Sequence, residues 1–286
     1  MAGENKSQLF ESARQAEQRG NREGRELWDR YAHHRERLTA AVLALAPERA
    51  GRLCLLGAGN ANDYDLPRIA ERFDEIHLVD IDPAALARAT GRQPAPVRSK
   101  LRSHAPIDLS GLYLQLDAGR GKLPDRETLV DNGTRDILGR LPGGFDLVVS
   151  GCVMSQISWS LARVTGDDAE LQAGLEQAMV NVHLRTLLSL ARPGGPALLA
   201  ADLVSSDTYP VDEIAEGTDL RALVKTLAEA RMTYAVSNPD LLHKVLRRDK
   251  QLRALCATTE MGDPWLWTGS HDRTYLVYPL VLRRRP

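Results

Sequence analysis

A glycine turn close to residue 57 constrains the fold of this chain more than any other stretch. The sequence from Gly51 to Asp63 reads GRLCLLGAGNAND. Its apolar run, from Leu53 to Leu56, is typical of a short strand that is buried on both faces. The run ends at Gly57-Ala58-Gly59, where glycine takes positive φ at little cost and lets the backbone come close to a ligand. We therefore predict a buried strand that delivers a tight turn to a ligand-binding edge.

A second apolar strand follows at the spacing expected of a nucleotide-binding unit. The run Ile76-His-Leu-Val79 ends in Asp80, about 20 residues after the turn. Strand, glycine turn, helix, strand and terminal carboxylate form the adenosine-binding half of a Rossmann-type unit, in which the acid hydrogen-bonds ribose hydroxyls. The sequence therefore predicts a doubly wound α/β sheet with Asp80 as a ribose ligand.

The residues around the turn favour one type of ligand over another. A dinucleotide fingerprint places a third glycine where this chain has Asn62, because that glycine allows close helix packing under a pyrophosphate. Asp63 and Asp65 also crowd the turn, and their carboxylates would repel a pyrophosphate. They suit a ligand with a cationic amino group and a sulfonium. A nucleotide-dependent oxidoreductase on the same half-fold stays open as an alternative.

Four segments resemble the class I S-adenosylmethionine-dependent methyltransferases. They are the strand ending at Gly57-Ala58-Gly59, the strand ending Leu-Val-Asp80-Ile-Asp82-Pro, the run Phe145-Asp146-Leu-Val-Val149, and Pro193-Gly-Gly195 followed by an apolar strand at residues 197–204. The resemblance implies a mostly parallel seven-stranded sheet, closed by an antiparallel carboxyl-terminal hairpin. It also implies S-adenosyl-L-methionine as the cofactor.

The resemblance further implies which residues bind this cofactor. They are Gly57, Ala58, Gly59, Asn60, Asn62, Asp80, Ile81, Asp108, Ser150, Gly151 and Cys152. An acid after the third strand binds the adenine amino group in this family. We prefer residues 100–105 as that strand, with Asp108 as the acid. The alternative strand, residues 112–116, would assign the role to Asp117.

The elements divide the chain into four predicted parts. Residues 1–48 form an amino-terminal helical cap, with one helix ending at Gly20-Asn21 and a second running from Arg22 to Pro47. Residues 49–206 form the Rossmann-like core. Residues 207–262 form a helical insertion, and residues 263–286 form the hairpin that completes the sheet. Trp265 and Trp267 in that hairpin either pack on the sheet or reach the substrate.

Composition narrows the classes of partner. The net charge is -1, which does not suggest a broad nucleic-acid footprint. Three widely spaced cysteines without a CxxC pair argue against disulfides and structural zinc. The apolar runs are too short for a membrane span, so we expect a cytoplasmic enzyme without a metal. A homodimer is compatible with the sequence.

The sequence identifies no general base. Tyr31, His33, His34 and His183 are weak candidates, and Tyr31 belongs to a segment, Trp28-Asp-Arg-Tyr31-Ala, that resembles the cofactor cap of small-molecule methyltransferases. Ser150-Gly-Cys152 stands where methyltransferases of nucleic-acid bases carry N-P-P-Y. We therefore expect a small-molecule acceptor. A SAM-binding module that has lost catalysis and acts as a regulator is a second alternative.

Overall fold

The computed structural model describes residues 8–119, 123–269 and 272–286. Its strands, in chain order, are β1 (Ala50–Leu56), β2 (Phe73–Val79), β3 (Leu101–His104), β4 (Leu147–Gly151), β5 (Pro196–Ser205), β6 (Cys256–Met261), β7 (Trp265–Thr268) and β8 (Thr274–Arg284). Within the described residues they form one sheet of eight strands in the order β3-β2-β1-β4-β5-β8-β6, with β7 also paired to β8.

Helices precede, connect and flank these strands. They are α1 (Gln8–Glu23), α2 (Ala32–Leu45), α3 (Leu66–Ala70), α4 (Pro83–Gly91), α5 (Ala95–Arg98), α6 (Tyr113–Gly119), α7 (Arg126–Arg140), α8 (Val153–Thr165), α9 (Ala169–Leu190), α10 (Leu220–Glu229), α11 (Pro239–Arg248) and α12 (Lys250–Leu255). Short 3₁₀ turns lie at Gly24–Glu26, Val211–Glu213 and Ala235–Ser237.

The glycine-turn strand β1 lies in the middle of the parallel part of the sheet. Leu53 pairs with Ile76 of β2 on one side and with Leu147 of β4 on the other. Alternate side chains of β1 enter opposite layers: Cys54 packs in the layer that holds α7 and α9, and Leu55 in the layer that holds α2, α3 and α4. A strand covered on both faces reads as a continuous apolar run, as predicted.

The predicted doubly wound, mostly parallel sheet with an antiparallel carboxyl-terminal hairpin is confirmed. β8 runs antiparallel to β5, and β7 pairs with β8 as the hairpin partner. The strand count differs, because eight strands form where seven were predicted. The additional strand, β6, lies in the part of the chain assigned to a helical insertion. Its residues are only partly buried, so its apolar pattern is weak.

β6 and β7 occupy the same edge of β8. Met261 pairs with Leu280 and Trp265 pairs with Val277, so the two strands follow each other along one partner. Between them the Gly262 N–H donates to the Pro279 carbonyl oxygen over 2.8 Å, and an added Cβ at Gly262 would lie 2.7 Å from the Pro279 ring. The close approach of these two backbones interrupts an edge that would otherwise be one strand.

The amino-terminal helices begin and end at other residues than predicted. α1 continues through Gly20 to Glu23, and α2 begins at Ala32 rather than at Arg22. The helix predicted from Arg22 to Pro47 thus joins the end of α1, an irregular segment before Ala32 and the helix α2. Leu38 and Val42 of α2 are fully buried against the sheet. α2 therefore packs in the core layer of the sheet.

The third strand lies where it was preferred. β3 spans Leu101–His104 and pairs parallel with β2, Ile76 opposite Leu101. The alternative strand at residues 112–116 is wrong, because that segment turns into helix α6. In this segment Leu112 and Tyr113 are both buried and Leu114 is exposed, which fits the start of a helix and not the strict alternation of a strand.

Candidate active site

A cavity of about 480 Å³ lies at the carboxyl ends of the parallel strands, where ligands bind in open α/β sheets. Eight of the predicted cofactor-binding residues line it: Gly57, Ala58, Gly59, Asn60, Asn62, Asp80, Ile81 and Asp108. The order of the strands brings them together, because β1, β2 and β3 are neighbours that all point the same way.

The turn after β1 requires its glycines. Gly57 has φ +72° and Gly59 has φ +48°, in the left-handed region that favours glycine. A Cβ at Gly57 would lie 2.6 Å from Val153 Cγ2 at the start of α8, and one at Gly59 would lie 2.9 Å from Asn21 Oδ1 of α1. The turn is therefore enclosed by the two helices that flank the cavity.

The carboxylate of Asp80 accepts hydrogen bonds from the turn after β1 and from the start of the loop after β2. The Gly59 N–H donates to Asp80 Oδ2 and the Asp82 N–H donates to Asp80 Oδ1, each over 2.8 Å. Burial raises the pKa of Asp80 to about 6, although these bonds favour its charged form. The carboxylate is thus held in place at the rim where a ribose diol would donate to it.

Asp108 is the acid after β3 that reaches the cavity. It accepts hydrogen bonds from the Ser110 N–H over 2.8 Å and from the Tyr113 N–H over 3.0 Å, which fold the loop before α6. Burial raises its pKa. Asp117 lies elsewhere and accepts from the Leu9 N–H over 3.1 Å, so it caps the start of α1. This placement favours Asp108 over Asp117 for the adenine.

Helix α1 forms the wall opposite the glycine turn. Asn60 Nδ2 donates to the Asn21 carbonyl oxygen over 2.6 Å, and Asn62 Nδ2 donates to the Gly24 carbonyl oxygen over 2.7 Å. Both amides therefore fasten the end of α1 while their residues line the cavity. The sequence predicts Asn60 and Asn62 as cofactor ligands only. Their bonds to α1 join residues about 40 positions apart in the sequence, so no local pattern indicates them.

Glu17 of α1 brings a further carboxyl group into the cavity. The pKa of Glu17 is raised to about 7, chiefly by burial and also by the charges of Asp80 and Asp82, against the opposite effect of Arg163. The sequence analysis did not single out Glu17. Glu17 precedes the glycine turn by about 40 residues, so no sequence motif links the two. Glu17 reaches the cavity because α1 packs across the strand ends.

The other end of the cavity is aromatic. It is lined by Tyr31, Asp63, Gln156, Trp159, Trp267, Arg273 and Tyr275. Tyr31 meets Trp267 edge to face with 4.9 Å between ring centroids, and Trp267 stacks on Tyr275 at 5.1 Å. Trp267 thus packs on its neighbours and reaches the cavity as well.

Three predicted cofactor residues lie away from this cavity. Ser150, Gly151 and Cys152 are not among the described residues that line it. Ser150 Oγ lies 2.8 Å from His183 Nε2, and a Cβ at Gly151 would lie 2.5 Å from the Tyr64 hydroxyl oxygen, so both face packed side chains. The Cys152 N–H donates to the Ala200 carbonyl oxygen. The end of β4 is therefore covered by packed side chains, and residues of the next helix, α8, line the cavity instead.

The histidine candidates have structural partners. His34 is fully buried, its Nδ1 accepts from Trp265 Nε1 over 3.0 Å, and its Nε2 lies 3.3 Å from Asp63 Oδ1. His33 Nδ1 lies 3.2 Å from the Leu266 carbonyl oxygen. Burial lowers the pKa of His183 to about 4, so this ring is neutral at neutral pH. Of the four candidates for a base, only Tyr31 lines the cavity, and burial raises its pKa far above its usual value.

The described residues carry neither a metal-binding cluster nor a membrane-spanning helix. No group of three or more His, Cys, Asp or Glu side chains in residues 8–119, 123–269 and 272–286 is arranged to hold a metal ion. In the same part of the chain, every helix is too short or too polar to cross a membrane.

The fold is that of a doubly wound α/β protein with a cavity at the carboxyl ends of its parallel strands. No protein-family model and no curated protein matches the sequence. Among solved structures, the chain is similar to the YcgJ protein of Bacillus subtilis, with 11% identity and a TM-score of 0.46 over 87% of this chain and 98% of that chain.

Two further similar structures carry methyltransferase names. An arsenic(III) S-adenosylmethionine methyltransferase from Chlamydomonas reinhardtii has 16% identity and a TM-score of 0.40, over 84% of this chain and 65% of that chain. A Haemonchus contortus phosphoethanolamine N-methyltransferase, solved with S-adenosylhomocysteine, has 12% identity and a TM-score of 0.43, over 87% of this chain and 53% of that chain. The chain thus spans about half the length of that second protein.

Proposed function

We propose that the protein is an S-adenosyl-L-methionine-dependent methyltransferase that acts on a small-molecule acceptor. One arrangement carries the proposal: the Gly57–Gly59 turn, the Asp80 carboxylate and Asp108 line one cavity, each at the end of a different parallel strand. Asp63 lines the same cavity at its aromatic end.

The residues of the cavity fit this cofactor group by group. Asp80 would accept from the ribose hydroxyls, and Asp108 is placed for the adenine amino group. At Gly57 and Gly59 the missing Cβ atoms let the turn pass close to Val153 and Asn21 while its backbone lines the cavity. Asp63 supplies a carboxylate for a cationic amino group, as the acidic turn in the sequence predicts. A pyrophosphate would meet the carboxyl groups of Asp63 and Glu17, which line the same cavity, and this disfavours a dinucleotide.

The cofactor supplies an activated methyl group when bound, and the protein supplies binding, alignment and electrostatics. The turn and Asp80 fix the position of the adenosine part. α1, fastened by Asn60 and Asn62, covers the cavity from one side and limits the access of water. The aromatic end, opposite the adenosine residues, is the place for the acceptor. A base is needed only for an acceptor that must lose a proton.

Calorimetry with S-adenosylhomocysteine and with NADH tests this proposal. We expect S-adenosylhomocysteine to bind and NADH to give no heat of binding. Binding of NADH alone would establish the oxidoreductase alternative. S-adenosylhomocysteine binding together with no methyl transfer to any acceptor in a broad small-molecule panel would instead support the non-catalytic module.

The proposal includes the type of acceptor, the location in the cell and the oligomeric state. A small-molecule acceptor is favoured by a cavity that is partly enclosed by α1 and by the aromatic wall. A cytoplasmic location, a homodimer and the division into four parts stay predictions. Sedimentation of the purified protein would test the dimer.

A further inference from the structure

The aromatic end of the cavity combines flat rings with one cation. Trp159 on α8, the stacked pair of Trp267 and Tyr275 on β7 and β8, and the guanidinium of Arg273 all line it. We call these four residues the acceptor wall. The adenosine residues lie at the strand ends of β1, β2 and β3, so the acceptor wall is free for a second ligand.

The rings of the acceptor wall provide surfaces for a flat molecule. Trp159 is 43% exposed, although large aromatic side chains usually bury most of their area. Trp267 and Tyr275 stack with an interplanar angle of 26° and are both more than nine-tenths buried. Trp267 also stacks on His34 with 4.3 Å between ring centroids, so Trp159 and Tyr275 are the rings of the wall left to pack against a ligand. Flat rings that line one cavity favour a planar partner over a flexible one.

Arg273 gives the acceptor wall its charge. Its Cζ atom lies 5.4 Å from the centroid of the Trp159 ring, within the range of a cation–π interaction. Asp207 pairs with it through Nη2, and the side chain of Asp207 is 54% exposed. Within the described residues, Arg273 Nε and Trp267 Nε1 are buried without a hydrogen-bond partner. The Arg273 side chain as a whole is 27% exposed and lines the cavity, so other atoms of its guanidinium are accessible to a ligand that accepts hydrogen bonds.

The sign of the charge separates two kinds of aromatic site. Aromatic residues also bind cations, but a cation here would face the guanidinium of Arg273. The acid that lines the same end, Asp63, lies 3.3 Å from His34 Nε2 and is assigned to the amino group of the cofactor. An oxyanion is therefore the group that Arg273 would bind, through the planar fork that matches carboxylate and phosphate.

We propose that the acceptor is a small planar molecule that carries an oxyanion, which Arg273 binds while the ring of the acceptor packs against Trp159 and Tyr275. The inference rests on the proposed function for the role of this ligand as acceptor. It names Arg273 as the residue that determines specificity for charge.

Calorimetric titrations of the protein saturated with S-adenosylhomocysteine test the inference with defined probes. The probes are 4-hydroxybenzoate, its neutral analogue 4-hydroxybenzamide, phenyl phosphate and the cation benzyltrimethylammonium. We expect 4-hydroxybenzoate or phenyl phosphate, or both, to bind at least ~10-fold more tightly than the amide and the cation, the scale of a charge-assisted hydrogen bond. The tighter of the two anions identifies the oxyanion as carboxylate or phosphate.

Two variants and a control assign the effect to the acceptor wall. Arg273→Gln should abolish the preference for the anion, and Trp159→Ala should weaken the anion and the amide by a similar factor. The matched control is Arg30→Gln: Arg30 bonds Asp272 over 2.6 Å beside Arg273 but is not among the described residues that line the cavity. It should leave all affinities unchanged.

The outcomes separate this inference from the proposed function. The inference is overturned if no probe binds, if the amide or the cation binds as tightly as the anions, or if Arg30→Gln loses as much as Arg273→Gln. Binding of S-adenosylhomocysteine is measured first and separately. Its absence contradicts the proposed function, whereas its presence with no preference for the anion contradicts the acceptor class alone.

Discussion

The Gly59 N–H donates to Asp80 Oδ2 over 2.8 Å, so the turn after one strand is fastened to the acid that ends the next. The bond ties the two parts of the proposed adenosine site together before any ligand arrives. A change at either residue therefore affects both the shape of the turn and the position of the carboxylate.

Replacement of this carboxylate should weaken the binding of S-adenosylhomocysteine. We expect Asp80→Ala to lose roughly 1.5–3 kcal/mol of binding free energy, the scale for charge-assisted hydrogen bonds. Calorimetry of the folded variant measures the loss. Asp74→Ala is the control, because Asp74 is an exposed acid on the same strand, β2. Equal affinity of the Asp80 variant and the wild type would remove Asp80 from the site.

The affinity for S-adenosylhomocysteine should also depend on pH through Asp80. The pKa of Asp80 is raised to about 6 by burial, so the carboxylate is charged above that pH and protonated below it. Ribose hydroxyls donate to the charged form. Affinity should be full at higher pH and should fall by up to ~10-fold per unit as the pH drops below about 6. Asp80→Ala should flatten this dependence, and an unchanged slope in that variant would assign the titration to another group.

Helix α1 precedes all strands of the sheet, so it can be deleted without removing a strand. The deletion tests whether α1 contributes to ligand binding. A chain that begins at Leu27 lacks α1 but keeps α2, whose Leu38 and Val42 are buried in the core. We expect it to unfold cooperatively and to bind S-adenosylhomocysteine at least ~10-fold more weakly, because one wall of the cavity is lost. Thermal unfolding and calorimetry measure the two effects. Wild-type affinity in the shortened chain would make α1 a surface helix without a part in binding.

Gly57 should tolerate no side chain. An alanine there would meet Val153 at 2.6 Å and would hold an unfavourable φ of +72°, so we expect Gly57→Ala to destabilise the fold by about 1–3 kcal/mol and to impair binding. Gly139→Ala is the matched control. Gly139 lies in helix α7 with open space around its Cβ position, so alanine should be neutral or stabilising there. Urea unfolding compares them, and equal stabilities of the two variants would contradict the strain at Gly57.

Local sequence patterns predicted those parts of the fold and site that lie next to each other along the chain. The run from Leu53 to the glycine turn, and the strand that ends at Asp80, contain their own apolar pattern, turn and acid. Glu17 and Arg273 reach the cavity only because α1 and β8 pack beside distant strand ends, which no local pattern records. Ser150 was placed at the site by analogy of motif, but its partner His183 lies on α9, and this packing turns Ser150 away from the cavity.

The last prediction concerns Asp202, a buried acid on β5 whose titration should make stability depend on pH. Ser155 Oγ donates to Asp202 Oδ2 over 2.6 Å, yet burial raises the pKa of Asp202 to about 7. The folded state therefore holds a proton on this carboxyl more tightly than the unfolded state does. Its contribution to stability is present at low pH, is lost as the pH rises toward about 7, and stays lost above it.

Asparagine at position 202 cannot titrate, so it removes this dependence. Relative to the wild type, Asp202→Asn should gain on the order of 2–4 kcal/mol of unfolding free energy between about pH 4 and about pH 8, whatever its stability at either end. Urea unfolding of both proteins at the two pH values measures the change. Ser155→Ala is the companion variant: it removes the bond that favours the charged carboxyl, so it should raise the pKa of Asp202 and extend the decline in stability to higher pH. A constant difference between Asp202→Asn and the wild type at both pH values would show that Asp202 keeps the same charge on folding.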